Sequence, residues 1–234
     1  MQAIVLAGGK GRRLMPYTTV LPKPLMPIGD YPILEVILRQ LKHYGFDRVT
    51  ISTGYLHELI HAYLDSNRTL GLDIAYVHED TPLGTIGPLR LIEHLDDTFL
   101  VMNGDILTDI SYRDLIASHK KKKAVATVAT YKRDVNIDFG VLEKNKDLKI
   151  TAFQEKPTFH FDVSMGVYVF SKKILDNVPA GEPFGFDQLM YALTAKKEAV
   201  FSYPHTGYWL DIGRPDDYAR AIEEFEKFKD LFLP

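Results

Sequence analysis

The sequence predicts an α/β fold built on a mostly parallel sheet flanked by helices, in a Rossmann-like arrangement. Apolar runs rich in Val and Ile alternate with amphipathic segments, which is the pattern of consecutive βα units. Gly8, Gly45 and Gly71 punctuate the joins between these segments. The chain has 234 residues, 46% of them hydrophobic and 25% charged, so it can bury one sizeable core. No linker rich in Pro, Ser or Gly divides it, and a single domain is expected.

The spacing of the apolar residues assigns the elements in order. We expect strands at 2–6, 48–53, 73–77, 98–102 and 124–131, with helices near 32–44, 56–66, 85–94 and 111–121 between them. Shorter, hairpin-like runs follow at 138–144 and 148–155, and then a strand at 164–170. The segment 214–228 alternates acidic, basic and apolar residues with helical spacing, so it predicts a surface helix with one buried stripe.

Charge and composition exclude several classes of protein. The net charge of −3 and the pI near 6.2 give no electrostatic footprint for nucleic acid or for an anionic membrane. The basic run from Lys120 to Lys123 is most simply the solvated end of a helix. The absence of cysteine excludes disulfides and fits a reducing compartment, and no apolar run has the length of a membrane span or of a signal peptide. The cytoplasm is therefore the expected compartment.

The first strand leads into a glycine-rich turn that predicts a phosphate site. The turn has the sequence Gly8-Gly9-Lys10-Gly11-Arg12-Arg13, and Lys23 follows between two prolines. Glycines leave backbone N–H groups free to form an anion nest, and the cations supply charge for a polyphosphate. A Walker A loop would need Ser or Thr after a lysine here, and a dinucleotide fingerprint would need a small residue at Leu14. The loop belongs to neither class.

Two carboxylates follow apolar strands far apart in the chain. Asp105 ends the segment VMNGD, and Asp211 lies in YWLDIG. Open α/β sheets place their ligand crevice at the carboxyl ends of strands, so the two side chains are candidates for one site. Two carboxylates completed by phosphate oxygens and water suit Mg²⁺, which prefers octahedral oxygen ligands.

The order of these motifs resembles the sugar-1-phosphate nucleotidyltransferases, also called nucleoside-diphosphate-sugar pyrophosphorylases. The resemblance extends from LAGGKGRRL and PKPLMPIGDYPILE through PLGTIGPL, NGD, FG and EKP to WLDIG. It implies that an NTP and a sugar-1-phosphate give an NDP-sugar and pyrophosphate. It also implies one catalytic domain, 1–234, in which 1–131 mainly binds the nucleotide, 132–213 mainly binds the sugar phosphate and 214–234 is a C-terminal helix.

The resemblance assigns roles residue by residue. Arg13, Lys23, Asp105 and Asp211 are the expected catalytic residues, and the two aspartates are expected to hold Mg²⁺. The expected nucleotide-binding residues are Leu6, Ala7, Gly8, Gly9, Gly11, Arg13, Glu79, Gly84 and Thr85. The expected sugar-phosphate residues are Asn103, Gly140, Glu155, Lys156 and Ser164, although the family often has Asn at the position of Ser164.

In the family that the chain resembles, the segment around Glu79 lies beside the nucleobase, so Glu79 is expected to indicate which nucleotide is preferred; a solvated acidic turn after the 73–77 strand is the alternative. Guanine presents N1–H and N2–H side by side, which suits an acceptor-only carboxylate, whereas uracil and thymine suit an amide. GTP with mannose-1-phosphate or a heptose-1-phosphate is therefore the leading pair, and thymidylyl, uridylyl or cytidylyl transfer is the alternative. Nucleic acid and membrane are not expected partners, and a homo-oligomer is compatible with the sequence.

Three other classes stay open. A glycosyltransferase that uses a sugar nucleotide usually has two carboxylates in a DxD motif, where NGD has one. A non-enzymatic sensor would tend to lose Lys23 or the aspartates. A zinc protease would rest on His57-Glu58-Leu59-Ile60-His61 alone. We expect these histidines to point to water as a non-catalytic pair, because the apolar stripe of their helix consists of Leu56, Leu59, Ile60, Tyr63 and Leu64.

Overall fold

The computed structural model describes residues 1–66 and 70–233. The strands are β1 (Gln2–Ala7), β2 (Pro27–Ile28), β3 (Tyr31–Pro32), β4 (Arg48–Thr53), β5 (Asp73–His78), β6 (Thr98–Asn103), β7 (Ile106–Thr108), β8 (Ala126–Asn136), β9 (Val141–Lys144), β10 (Ile150–Gln154), β11 (Thr158–Ser171), β12 (Val200–His205) and β13 (Trp209–Asp211). The helices are α1 (Ile33–His43), α2 (His57–Ser66), α3 (Tyr112–Lys122), α4 (Phe186–Ala195), α5 (Pro215–Phe225) and α6 (Lys229–Phe232).

A seven-stranded sheet forms the centre of the molecule, in the order β12-β8-β11-β6-β1-β4-β5. Its neighbours are parallel except at β11, which runs antiparallel to both β6 and β8. Both faces of the sheet are covered, because Ala3 and Val5 of β1 belong to one apolar cluster and Ile4 to the other. The predicted fold class is confirmed.

The parallel pairing brings the carboxyl ends of β1, β4, β5 and β6 to one edge of the sheet. The glycine-rich turn follows β1, Glu79 follows β5, and the NGD segment follows β6. Chemistry-bearing residues separated by up to a hundred positions in sequence therefore meet at one place.

Several elements differ from the sequence-based expectation. The segment 85–94 is not an α-helix; it contains a 3-10 turn at Gly87–Leu91. The amides of Ile86 and Gly87 both donate to the carbonyl of Phe184 at 3.0 Å, so the start of this segment is bonded to a distant part of the chain. Helix α4 and strands β12 and β13 lie in a region that the sequence left largely unassigned. The C-terminal segment 214–228 forms α5 and a separate α6 follows it.

Strands β8 and β11 are longer than predicted, because their outer halves pair with each other beyond the core. Thr158 pairs with Asn136 at the tip, and the pairing runs back to Ser164 opposite Thr130. The small antiparallel sheet of β9 and β10 continues from this extension. We call residues 132–163 the arm; its side chains are mostly exposed, as shown by Phe139 at 77% and Phe153 at 60%. No helix in the described residues is long and apolar enough to cross a membrane.

Candidate active site

A cleft of about 610 Å³ opens at the carboxyl edge of the sheet. We call it the nucleotide cleft. Its walls are the glycine-rich turn, the segment after β5 and the NGD segment. Among the residues predicted for nucleotide binding and catalysis, it is lined by Leu6, Ala7, Gly8, Gly9, Gly11, Arg13, Lys23, Glu79, Gly84 and Thr85, and by Asn103 and Asp105.

The glycine-rich turn is shaped by close backbone approaches and a buried anchor. Gly11 has φ of 59°, and its carbonyl accepts a hydrogen bond of 2.9 Å from the Thr18 hydroxyl. A 3-10 turn, Arg12–Leu14, follows it directly. Leu14 is fully buried and anchors the turn to the apolar core. Arg12 and Arg13 are exposed and line the cleft.

The two predicted metal carboxylates lie on neighbouring backbones. Asp105 immediately precedes β7, and Asp211 ends β13, which pairs antiparallel with β7 through Ile106. The amide of Ile212 donates to the Asp105 carbonyl at 3.1 Å. A Cβ added at Gly213 would lie 3.5 Å from Oδ1 of Asp211 and 3.5 Å from both terminal nitrogens of Arg13. The guanidinium of Arg13 is thus beside the carboxylate pair.

Charge at this point is only partly compensated. Lys23 donates from Nζ to Oδ2 of Asp105, and 11% of its side chain is exposed. Burial raises the pKa of the Asp211 carboxyl, and the charge of Asp105 adds to that rise, whereas Lys23 and Arg13 oppose it. Oδ1 of Asp105 is buried and has no hydrogen-bond partner within the described part of the chain. An unsatisfied anionic oxygen beside a second carboxylate is the chemistry of a divalent cation site.

The donor set is small. Within residues 1–66 and 70–233, no three His, Asp or Glu side chains converge as a metal-binding group. Asp105 and Asp211 alone would leave most of the coordination of a hard cation to phosphate oxygens and water. That arrangement fits Mg²⁺, which keeps several waters and usually takes one or two carboxylates with the phosphates of its substrate.

Glu79 is held by two hydrogen bonds in the wall of the nucleotide cleft. Its Oε1 accepts a hydrogen bond of 2.8 Å from the Ser52 hydroxyl, and its Oε2 accepts one of 2.9 Å from the Leu83 amide. Ser52 is fully buried on β4. A Cβ added at Gly8 would lie only 2.6 Å from Oε1, so the carboxylate packs directly against the glycine-rich turn.

Most of the five predicted sugar-phosphate residues do not line the nucleotide cleft. Of the five, only Asn103 lines it. The FG and EKP motifs do meet each other: a Cβ added at Gly140 would lie 2.5 Å from the Phe153 ring and 3.2 Å from Oε2 of Glu155. Lys156 has φ of 43° in the turn after β10.

Ser164 lies in β11, where the strand returns to the core. Its hydroxyl donates to the Tyr168 hydroxyl at 3.2 Å and accepts from the Gly166 amide at 3.3 Å. A Cβ added at Gly166 would lie 2.6 Å from Nδ2 of Asn103, so Asn103 and Ser164 approach the same glycine.

Sequence reasoning missed some residues of the nucleotide cleft. Gly104 and Gly213 belong to motifs that were recognised, and only their exposure to the cleft was overlooked. The sequence did not indicate that Ser52 positions Glu79, because a polar residue in a buried strand has many structural explanations. The missed lining residues are Pro24, Pro82, Gly104, Gly185 and Gly213, and Arg12, recognised in the phosphate turn, had been given no separate role.

The prediction that the two histidines of HELIH point to water is wrong. The ring of His61 packs on Tyr76 with centroids 3.9 Å apart, and that of His57 packs on His78 at 4.1 Å. Strand β5 places these aromatic rings under α2, whereas Leu59, predicted to be in the buried stripe, is 40% exposed. Burial lowers the pKa of His61, and the neighbouring His57 lowers it further.

Comparisons with known proteins show the family to which the chain belongs. The model of the family described as nucleotidyl transferase matches residues 2–227. The UTP–glucose-1-phosphate uridylyltransferase of Synechocystis sp. is 31% identical over 95% of this chain, and the D-glycero-alpha-D-manno-heptose 1-phosphate guanylyltransferase of Aneurinibacillus thermoaerophilus is 33% identical over 97% of it. The crystal structure of HddC from Yersinia pseudotuberculosis has a TM-score of 0.75 and 26% identity, and the match covers 96% of this chain and 99% of HddC.

The chain belongs to the family of sugar-1-phosphate nucleotidyltransferases. It spans 62% of the length of the Synechocystis enzyme and all of the heptose 1-phosphate guanylyltransferase.

Proposed function

We propose that this protein transfers a nucleotidyl group from an NTP to a sugar-1-phosphate and releases pyrophosphate. The observation that carries the proposal is the convergence of four groups: Asp105 and Asp211 on neighbouring backbones, Lys23 bonded to Asp105, and Arg13 beside Asp211. A binding module has no need of a buried, unsatisfied carboxylate oxygen facing a phosphate loop.

The reaction needs positioning more than acid–base chemistry. An oxygen of the sugar phosphate attacks the α-phosphorus in line, the bond from that phosphorus to the bridging oxygen breaks, and the electron pair leaves on pyrophosphate. A phosphate oxygen is already ionised near neutral pH, so no general base is required. Lys23 orients the α-phosphate and the incoming phosphate, and Arg13 binds the leaving pyrophosphate. Mg²⁺ held by Asp105 and Asp211 would supply positive charge for the nucleotide oxygens.

Glu79 supports a preference for GTP. Its carboxylate is an acceptor at both oxygens, is fixed by Ser52 and Leu83, and lines the nucleotide cleft. The similarity to a guanylyltransferase agrees with this assignment, whereas the similarity to a uridylyltransferase keeps UTP as the alternative base.

For the acceptor, we propose mannose-1-phosphate or a heptose-1-phosphate. Residues 1–131 supply most of the nucleotide site and 132–213 most of the sugar-phosphate site, with Gly140, Glu155, Lys156 and Ser164 as its polar groups. The segment 214–234 packs on the core through α5, whose Tyr218 hydroxyl donates to the Pro27 carbonyl at 2.7 Å.

One assay tests the proposal. The protein is incubated with Mg²⁺, each of four NTPs and a panel of sugar-1-phosphates, and pyrophosphate release is measured. We expect release only when both substrates are present. A sugar-nucleotide-dependent glycosyltransferase would release no pyrophosphate, and a protease would not need Arg13. Release without any sugar-1-phosphate, or activity abolished by His61→Ala but retained by Arg13→Ala, would contradict the proposal.

A further inference from the structure

A second cleft, of about 490 Å³, adjoins the nucleotide cleft. It lies between the residues 131–134 of β8, strand β13 and the start of α5. Arg13 and Gly213 line both clefts, and Asp211 lines the second. The two spaces therefore meet at the Arg13 guanidinium, beside the carboxylate pair. The lining residues contributed by β8 and α5 belong to none of the motifs recognised in the sequence.

The second cleft concentrates positive charge in a chain whose net charge is −3. Its lining includes Arg13, Lys132, Arg133, Arg214 and Arg220. Arg220 donates from Nε to Glu224 at 2.8 Å, and the acidic Asp134 of the same lining bonds to His160 at 2.5 Å. Both of these groups are therefore already paired.

Three cations of the second cleft are unpaired within the described residues. Lys132, Arg133 and Arg214 form no ion pair or side-chain hydrogen bond with any residue in the described ranges. The carboxylates that remain in the lining are Asp211, predicted to hold the metal, and Asp217. Unpaired cations at the mouth of a site attract an anionic ligand and bind it with charge-assisted hydrogen bonds.

Three cations line the nucleotide cleft. Arg12, Arg13 and Lys23 line it, and Lys23 is bonded to Asp105. In the proposed reaction, negative charge grows on the bridging oxygen as its bond to the α-phosphorus breaks, and the electron pair remains on pyrophosphate. The leaving group thus needs more positive charge than the reactant, and the second cleft is where unpaired cations lie next to Arg13.

We propose that the second cleft receives the pyrophosphate leaving group and that Arg214 binds it together with Arg13. Arg214 is the residue before α5 and follows Gly213, which contacts the Arg13 region directly. Lys132 and Arg133 face the same space from β8. This inference rests on the proposed nucleotidyl transfer and adds a residue and a cavity that the sequence motifs do not include.

The reverse reaction tests it, since pyrophosphate is then a substrate whose KM can be measured. The wild type is first used to make its best nucleotide sugar, and pyrophosphorolysis of that product is followed at varied pyrophosphate. We expect Arg214→Gln to raise the KM for pyrophosphate about tenfold, the typical effect of one lost hydrogen bond to a charged group, with the KM for the nucleotide sugar within about twofold. Arg214→Lys should restore part of the affinity, because the charge remains.

Arg113→Gln is the matched control. Arg113 is an exposed arginine of α3 and lines neither cleft. An unchanged KM for pyrophosphate in Arg214→Gln, or an increase confined to the KM for the nucleotide sugar, would overturn the inference; the second result would assign the cleft to the sugar. A wild type without any pyrophosphate exchange would instead refute the proposed function. Thermal melting of each variant separates binding from folding.

Discussion

The Ser52 hydroxyl donates a hydrogen bond of 2.8 Å to Oε1 of Glu79, from a position where Ser52 is fully buried. The second oxygen accepts from the Leu83 amide. These two donors differ in one respect: a backbone N–H can only donate, whereas a hydroxyl can turn and accept. Oε2 must therefore be an acceptor, and the atom facing Ser52 is free to be either an acceptor or a donor. The Ser52 hydroxyl and the Leu83 amide can therefore hold either a carboxylate or an amide at position 79 in one orientation.

These two hydrogen-bond partners determine how the amide of Glu79→Gln is oriented. The amide oxygen would face Leu83 and the NH₂ group would face Ser52, so the variant folds and presents a donor where the wild type has an acceptor. We expect the wild type to prefer GTP over UTP and dTTP, and Glu79→Gln to narrow or reverse that preference by about tenfold in relative kcat/KM. Steady-state kinetics with the three nucleotides measures it. A wild type that prefers UTP or dTTP, or a variant with unchanged ratios, would show that Glu79 does not recognise the base.

Ser52→Ala removes one of the two donors and leaves Glu79 in place. The carboxylate should then sample more orientations, so the ratio of kcat/KM for GTP to that for UTP should fall by about fivefold, the value of one ordinary hydrogen bond. In the Glu79→Gln background the same change should have little additional effect on the ratio, which a double-mutant cycle measures. Thr50→Val is the control, because Thr50 is also buried on β4 and lies two residues away on the same face. Equal ratios in Ser52→Ala and wild type would exclude the positioning role.

The sequence predicted the convergence of the glycine-rich turn, Glu79 and Asp105, and the physical reason is the sheet. In a parallel sheet every strand ends at the same edge, so a residue placed just after an apolar run is placed in space as well. β4 matches its predicted bounds, 48–53, because a run rich in β-branched residues is confined between Gly45 and Gly54. The same argument made Asp211 a candidate, although its strand has only three residues.

What the sequence did not predict depends on contacts between distant segments. The helix expected at 85–94 is replaced by a short 3-10 turn, because its amides bond to Phe184 about a hundred residues away. The histidines of α2 are covered by rings of β5, a packing that no periodicity within one helix reveals. The second cleft forms where β8 and α5 meet, and neither segment carries a phosphate motif.

Replacing Asp105 or Asp211 should lower turnover in both cases but should change the stability of the fold differently. Asp105→Asn and Asp211→Asn should each lower kcat by about two orders of magnitude or more, because each removes a ligand of the proposed cation. Their melting temperatures should differ. Asp105→Asn leaves the mostly buried Lys23 without its carboxylate and should lower Tm, whereas Asp211→Asn removes a charge that burial and Asp105 disfavour, so its Tm should stay level or rise.

Calorimetry without added metal and kinetics at saturating Mg²⁺ measure the two effects. Near-normal turnover in either variant would remove that aspartate from the cation site. A lower Tm in Asp211→Asn than in Asp105→Asn would show that the carboxylate of Asp211 stabilises the fold, contrary to the direction of its pKa shift.

His119 predicts how the stability of the protein changes with pH. Its ring is 2% exposed, and Nδ1 lies 2.9 Å from the Thr127 hydroxyl. Burial, together with the smaller effect of the charge of Lys120, lowers the pKa of His119 from 6.5 to about 4. Between pH 6.5 and 4 the unfolded chain binds a proton that the folded chain excludes, so the stability that neutral His119 contributes is complete above pH 6.5 and is lost as the pH falls.

We therefore expect the unfolding free energy of the wild type to fall with a slope from His119 of at most about 1.4 kcal/mol per pH unit. His119→Gln, which keeps a polar group for Thr127 but does not titrate, should be less stable at pH 7 yet lose less stability between pH 7 and 5. Urea unfolding at both pH values measures the difference, and His94→Gln, at an exposed histidine, should behave like the wild type. Equal losses in wild type and His119→Gln would mean that His119 stays neutral, or becomes charged, in both states alike.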